Sequence, residues 1–84
     1  MALSDVKARS AKPREKPYKL FDGDGLFLHV FPNSSKYWRF RYERQGRERV
    51  LSLGKYPALS LAEARQEAAK HRLLLDKDQD PAEI

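Results

Sequence analysis

Two arginines, Arg39 and Arg41, alternate with aromatic residues in the segment Lys-Tyr-Trp-Arg-Phe-Arg-Tyr that begins at Lys36. A guanidinium group can contact phosphate oxygens, or make paired hydrogen bonds to guanine in the major groove of DNA. A spacing of two residues places both arginines on one face of a β-strand. This combination of residue types and spacing favours a nucleic-acid contact over a small-molecule site.

The other chemically active residues do not form a catalytic or metal-binding pattern. The segment 22–25, Asp-Gly-Asp-Gly, lacks the ligands that follow in a calcium-binding loop, so it predicts a turn between strands. His29 and His71 have no ligand partners at a suitable spacing, and cysteine is absent. Glu43 and Glu48 face each other near a hairpin tip among arginines, which indicates solvated charge partners. We therefore predict no enzymatic activity, no metal and no cofactor for this chain.

Length and charge limit the range of functions. A chain of 84 residues forms one domain with a small core. Its net charge is +5, and the basic residues are concentrated in residues 1–55, whereas residues 56–84 are slightly acidic. Such a distribution is typical of a nucleic-acid binder, although a basic surface also serves solubility. The N-terminus has no signal-peptide pattern, so we expect a soluble cytoplasmic protein.

The hydrophobic pattern predicts an α+β fold, in which a small antiparallel sheet packs on one C-terminal helix. A period of two over 18–53 predicts three main strands, with a short extra strand also allowed, and Gln45-Gly46 forms a hairpin turn. The expected cross-strand pairs are Trp38 with Leu53, Arg39 with Ser52, Phe40 with Leu51, Arg41 with Val50, and Tyr42 with Arg49.

Capping signals predict a helix at each end of the chain. Ser4 caps a short N-terminal helix that must end near residues 11–12, because Pro13 disfavours helical geometry before it. The segment 12–17 is then an extended basic arm. Ser60 and Glu63 form a capping box at the start of the C-terminal helix, which should stop before Pro81. The apolar side of this helix carries Leu61, Ala64, Ala68 and Leu75. We expect it to cover the sheet face formed by Trp38, Phe40, Leu51 and Leu53.

The other face of the predicted sheet is left in water. It should present Phe27, His29, Tyr37, Arg39, Arg41, Val50 and Ser52. The pattern allows two interpretations: a DNA-binding surface, or the ordinary solvated face of an antiparallel sheet. The basic arm is similarly either a DNA contact or a solubilising tail.

Several motifs together carry a resemblance to a known family. They are Leu-Ser-Asp at 3–5, Ala-Lys-Pro at 11–13, Tyr-Trp-Arg-Phe-Arg-Tyr at 37–42, Leu-Gly-Lys-Tyr-Pro at 53–57, Ser-Leu-Ala with Ala-Arg at 60–65, and Asp-Pro at 80–81. With these motifs the chain resembles the N-terminal domain of phage-satellite and genomic-island integrases of the tyrosine recombinase class. Two positions depart from the family pattern: residues 33–35 lack a glycine, and Asp78 replaces the glycine that commonly ends the helix.

The resemblance implies that the chain binds arm-type sites, which are short repeats flanking the recombination core. The parent integrase would integrate and excise a prophage or genomic island, using an arginine-histidine-arginine set and a tyrosine nucleophile in later domains. We expect the chain to be a fragment without that machinery. Its predicted parts are a short helix and basic arm over 1–17, the DNA-binding domain over 18–76, and the start of a linker over 77–84.

The resulting hypothesis is that the three-stranded sheet enters the major groove of double-stranded DNA, with Arg39 and Arg41 as principal contacts. The other candidate DNA-binding residues are Lys36, Tyr37, Ser52, His29, Lys12, Arg14 and Lys16. One alternative is a protein-docking module for integrase protomers or an accessory factor. Another is binding of single-stranded nucleic acid by the exposed aromatic residues.

Overall fold

Four antiparallel strands form a meander in the order β1-β2-β3-β4, and one long helix covers one face of this sheet. The computed structural model describes residues 3–83. Its elements are α1 (Asp5–Ser10), β1 (Tyr18–Gly23), β2 (Leu26–Val30), β3 (Lys36–Arg44), β4 (Arg47–Lys55), α2 (Leu61–Asp76) and a 3₁₀ turn (Pro81–Glu83). The predicted α+β class is confirmed, and the extra strand is β1, which pairs along the length of β2.

The β3–β4 hairpin has the predicted turn and, over most of its length, the predicted register. Gln45 and Gly46 both have positive φ, at 53° and 75°, as a two-residue hairpin turn of this kind requires. Arg39 pairs with Ser52, Phe40 with Leu51, Arg41 with Val50, and Tyr42 with Arg49. Since side chains alternate between faces, these pairs place the two arginines opposite the core.

The predicted pairing of Trp38 with Leu53 is wrong. A β-bulge shifts the register here, so that Trp38 pairs with Gly54 and Tyr37 pairs with Lys55. Gly54 leaves room for the following loop, because a Cβ there would lie 3.1 Å from the Leu59 side chain. The Leu59 carbonyl oxygen accepts a hydrogen bond of 2.8 Å from the Trp38 indole nitrogen. The loop after β4 therefore satisfies the indole N–H that burial would otherwise leave without a partner.

The core lies between the sheet and α2. Trp38, Leu28 and Val30 are completely inaccessible to solvent, and Phe40 is nearly so. On α2, the predicted residues Leu61, Ala64 and Ala68 are buried and Leu75 packs against the same cluster. Small alanine side chains let the helix axis approach the sheet closely, so the large aromatic residues fill the interface from one side.

Both helices begin as the sequence predicted. The Ser4 hydroxyl accepts from the backbone nitrogen of Lys7. At α2, the Ser60 hydroxyl accepts from the Glu63 nitrogen while the Glu63 carboxylate accepts from the Ser60 nitrogen, each at 3.1 Å. This α2 ends at Asp76, and Asp78 takes the left-handed conformation, with φ of 59°, that glycine usually supplies after a helix.

A buried ion pair joins the N-terminal segment, β1 and α2. The Asp22 side chain is only 2% exposed, and its carboxylate accepts from Arg65 Nε at 2.9 Å and Nη2 at 2.8 Å. The same carboxylate accepts from the Leu3 nitrogen, while Arg65 also donates to the Leu3 carbonyl. The hydrogen bonds from Arg65 hold the pKa of Asp22 below its usual value. Leu3 and Ala8 are buried in the main core, so α1 packs as part of the sheet-plus-helix unit.

A second buried carboxylate fixes the segment that follows α2. Asp80 accepts a hydrogen bond of 2.7 Å from the Tyr42 hydroxyl and pairs with Arg49 at 3.3 Å. Hydrogen bonding from Tyr42 lowers the pKa of Asp80, while burial, more than this contact, raises the pKa of Tyr42. Residues 78–82 thus lie against the β3–β4 hairpin.

The predicted segments 1–17 and 77–84 extend beyond the described residues at positions 1, 2 and 84. Within residues 3–83, no helix has both the length and the hydrophobicity needed to span a membrane.

Replacing Asp22 by Asn should lower the free energy of unfolding by about 2 to 3 kcal/mol at pH 7, because it removes a buried, charge-assisted hydrogen-bond pair. The pKa of Asp22 is lowered in the folded state, so its stabilisation is present above about pH 4 and is lost as pH falls through the folded pKa. The difference between the two proteins should therefore shrink below pH 4. Urea unfolding followed by Trp38 fluorescence measures it.

Asp24→Asn is the matched control, since the Asp24 side chain is 80% exposed and its contact with Arg72 is weak. Equal losses of stability in the Asp22 and Asp24 variants would contradict a special role for the buried pair.

Candidate nucleic-acid interface

The sheet face opposite α2 carries four cationic side chains and no covering element in the described structure. We call it the open face. It is formed by Lys19 and Phe21 of β1, Phe27 and His29 of β2, Tyr37, Arg39, Arg41 and Glu43 of β3, and Glu48, Val50, Ser52 and Lys55 of β4. Its carboxylates lie at the hairpin tip, where Glu43 pairs with Glu48, so the remaining area is positively charged.

Arg39 is held among aromatic rings near the middle of this face. Its guanidinium carbon lies 5.6 Å from the centre of the Phe31 ring and 5.8 Å from that of Tyr37, within the range of cation–π attraction. The Nε atom is buried without a hydrogen-bond partner in the described structure. The rings therefore restrict the side chain before any ligand arrives, which reduces the conformational entropy lost on binding.

Arg41 is more exposed and has a polar neighbour. Its guanidinium group lies 3.6 Å from the Glu48 carboxylate, with about half of each side chain accessible. An exposed pair of this kind contributes little to stability and can be exchanged for another anion. At the backbone, the Arg41 nitrogen donates to the Gly25 carbonyl at 2.8 Å, which ties β3 to the start of β2.

The aromatic residues on the open face pack against one another. Ring centres are 5.7 Å apart for Phe21 and Phe27, 6.0 Å for Phe27 and His29, and 4.3 Å for His29 and Phe31. The prediction that Phe27 is exposed is wrong: only 2% of it is accessible, because neighbouring rings and the Lys19 side chain cover it. Burial lowers the pKa of His29, helped by the positive charges of Arg39 and Lys19. At neutral pH His29 is therefore an uncharged member of this row.

The structure brings five of the nine candidate residues together on the open face: Arg39, Arg41, Tyr37, Ser52 and His29. Lys36 lies on the other side of the sheet, where its ammonium group donates to the carbonyls of Ala8 at 2.8 Å and Arg9 at 3.0 Å. These carbonyls are at the C-terminal end of α1, where a positive charge is favourable. Burial lowers the pKa of Lys36. Its contacts make it a link between α1 and the sheet, away from the arginines.

The basic arm contacts β1 through Tyr18. The Arg14 guanidinium is 4.0 Å from the centre of the Tyr18 ring, and the Tyr18 hydroxyl donates to the Lys12 carbonyl. Tyr18 belongs to the covered side of β1, so Arg14 is separated from the open face by that strand. Lys12 and Lys16 are exposed. The arm thus lies on the covered side of β1 and not on the open face.

Sequence reasoning missed two cations of the open face, Lys19 and Lys55. Lys19 pairs with His29, a position that becomes visible only once β1 is recognised as a full strand. Lys55 faces this way because the bulge shifts it opposite Tyr37. Gly54 was the sequence signal that could have predicted the bulge, because a glycine inside a strand often marks one.

Residues 3–84 match the family model of the arm DNA-binding domain. The chain belongs to this family. The basic open face is therefore a surface of an arm DNA-binding domain.

Three relatives show where such a domain occurs. The chain is 45% identical over 79 residues to the integrase of Shigella phage Sf6, which covers 94% of the chain and 20% of the phage protein. It is 49% identical over 76 residues to prophage integrase IntZ of Escherichia coli K12, covering 88% of the chain and 19% of IntZ. The integrase of Enterobacteria phage P4 is 40% identical over 83 residues, covering 96% and 19%. The chain spans about a fifth of the length of these relatives.

Gly25→Ala should destabilise the domain more than Gly23→Ala. Both glycines have positive φ, at 91° and 114°, so each substitution costs about 1 to 2 kcal/mol in backbone strain. A Cβ at 25 would also overlap the Arg41 carbonyl oxygen, whereas nothing lies within 4 Å of one at 23. We expect an additional loss of about 1 to 3 kcal/mol at position 25 in urea unfolding. Equal losses would mean that the contact with β3 is not restrictive.

Glu48→Gln should increase affinity for duplex DNA. The substitution frees Arg41 and removes a negative charge that repels phosphates, with an expected gain of roughly two- to fivefold at low salt. Fluorescence anisotropy of a labelled duplex measures the change. Glu67→Gln makes the same change on α2, on the other side of the sheet, and should have little effect. A gain of the same size in both variants would show that only net charge matters.

Proposed function

We propose that this chain holds the arm-type DNA sites of a site-specific integrase by inserting part of its sheet into the major groove. The observation that carries the proposal is the pair Arg39 and Arg41 on an otherwise uncovered face, in a chain of the arm DNA-binding domain family. Arginines spaced along one strand can contact successive base edges, and the flanking lysines can contact the phosphates on either side.

The width of the sheet favours entry by the β3–β4 side. Neighbouring strands lie about 4.8 Å apart, so the outer strands of a four-stranded sheet are about 14 Å apart. The major groove is about 12 Å wide and accommodates a two-stranded ribbon readily. The arginines lie on β3, so β3 and β4 are the strands that reach the base edges. This refines the three-stranded hypothesis, since β2 then lines the wall of the groove and β1 remains at its rim.

In this arrangement the open-face residues have different roles. Arg41, with an exposed guanidinium and an exchangeable partner, reads a base, and Arg39, held between rings, reads a base further along the groove. Ser52 and Tyr37 add hydroxyl contacts. Lys19 and Lys55, at the margins, neutralise phosphates. We assign the arm residues Lys12, Arg14 and Lys16, which precede β1, to contacts with the phosphate backbone beside that strand.

The parent of such a domain would be a tyrosine recombinase that integrates and excises a prophage or genomic island. This assignment is supported by the integrase names of the relatives and by the motifs shared with that class. The chain itself supplies binding, while strand cleavage and rejoining belong to the remaining four-fifths of the length that the relatives possess. Concentrating several protomers on flanking repeats would raise their effective concentration at the crossover site.

Selection of a randomised duplex library on this chain, followed by affinity measurements on the selected duplex and a scrambled one, tests the proposal. The wild-type chain should prefer the selected duplex and lose affinity steeply as salt increases. Arg39→Ala or Arg41→Ala should weaken that binding by roughly 5- to 150-fold and relax preference at one base position.

Arg47→Ala is the matched control, because Arg47 pairs with Arg44 on the opposite side of the hairpin and is exposed. It should change affinity for both duplexes slightly and alike. Unchanged affinity in both open-face variants would contradict the sheet assignment. Binding without sequence preference and without salt dependence would instead favour the protein-docking alternative. A preference for unpaired strands would favour the binding of single-stranded nucleic acid by the aromatic residues of the open face.

A further inference from the structure

Val50 is an exposed aliphatic residue of β4, directly opposite Arg41, on the surface that is proposed to enter the groove. Among the described residues, four large apolar side chains are exposed: Val6, Phe21, Val50 and Leu73. Val6 and Leu73 are on helices, and the Phe21 ring packs against Phe27 at the β1 edge. Val50 alone of these lies on β3 or β4, with 48% of its surface accessible.

The surroundings of Val50 on the open face are polar. Its cross-strand partner is Arg41, and the same-face neighbours along β4 are Glu48 and Ser52. The adjacent residue Leu51 faces the core, where it packs against the buried cluster. Val50 is therefore not part of the core cluster, and it lies next to an arginine across the strands and a serine along β4.

The major groove offers one apolar group to such a side chain, the C5-methyl group of thymine. We infer that Val50 contacts a thymine methyl group beside the base pair that Arg41 contacts, and so determines part of the sequence specificity. This inference rests on the proposed function. Directly opposed side chains in a sheet start about 5 Å apart, and base pairs are stacked about 3.4 Å apart, so the thymine lies one or two base pairs from the Arg41 contact.

Removing the methyl group from the DNA and removing the methyl groups from the protein together isolate this contact. In the duplex selected on the wild-type chain, each thymine is replaced in turn by deoxyuridine, which lacks only the C5-methyl group. Affinity is measured for the wild-type chain and for Val50→Ala, Val50→Thr and Val6→Ala. Replacement at one thymine near the Arg41 contact should weaken wild-type binding about fourfold, the effect of burying one methyl group.

The variants distinguish a base contact from strand propensity. Val50→Ala keeps only a shorter Cβ methyl group and should show a smaller difference between the thymine and deoxyuridine duplexes, whereas Val6→Ala, the same change at an exposed site on α1, should keep the full fourfold difference. Thr is β-branched and forms strands as well as Val. Because it replaces one of the two γ-methyl groups of Val by a hydroxyl, Val50→Thr should retain the hairpin, checked by its thermal unfolding, and should depend less on the thymine methyl group than the wild-type chain does.

Two results would overturn the inference. One is that no deoxyuridine substitution near the Arg41 contact weakens wild-type binding, which includes the case of a selected duplex without thymine there. The other is that a substitution weakens the wild-type chain and the Val50 variants equally. Either could occur while Arg39→Ala and Arg41→Ala still weaken binding and each relax preference at one base position, so that the proposed function would stand. If those arginine variants bind like the wild type, the proposed function itself fails.

Discussion

A single helix buries one face of a four-stranded sheet, and the rest of the structure depends on this packing. The small side chains of Ala64 and Ala68 allow α2 to lie close to the sheet. The large side chains of the interface, Trp38 and Phe40, come from the sheet, while the helix contributes small ones. One helix cannot cover both faces. No second layer covers the other face in the described structure, so that face is solvated. Core packing therefore does not constrain its residue types, and they can serve to bind a ligand.

Two buried carboxylates extend this limited core to the ends of the chain. Asp22 joins β1, the N-terminal segment and Arg65 of α2, and Asp80 joins the segment after α2 to Tyr42 and Arg49 on the hairpin. Each carboxylate is satisfied by several donors, which offsets the cost of removing it from water. A domain of this size has little apolar surface to bury. The hydrogen bonds and ion pairs of Asp22 and Asp80 therefore help to hold the segments before β1 and after α2 against the rest of the fold.

The same separation of faces organises the charge. Lys36 and Arg49 point to the covered side and are used within the fold, by the carbonyls of α1 and by Asp80. Arg39 and Arg41 point to the open side, where the first is held by aromatic rings and the second has only an exposed carboxylate beside it. Cations that look equivalent in a basic sequence therefore divide into structural and available groups.

The sequence by itself determined three of the four strands, both helices, and which side of the β3–β4 hairpin carries the arginines. Periodicity, the Gln45-Gly46 turn and the Ser60 capping box are local signals, and they agree with one another. What only the tertiary structure decided depends on contacts between distant segments. A bulge at Trp38 places Lys55 on the open face, the C-terminal end of α1 binds Lys36, and neighbouring rings bury Phe27. No local pattern specifies such contacts, because each joins segments that are distant in sequence and forms only when the sheet, the loop after β4 and α1 are packed together.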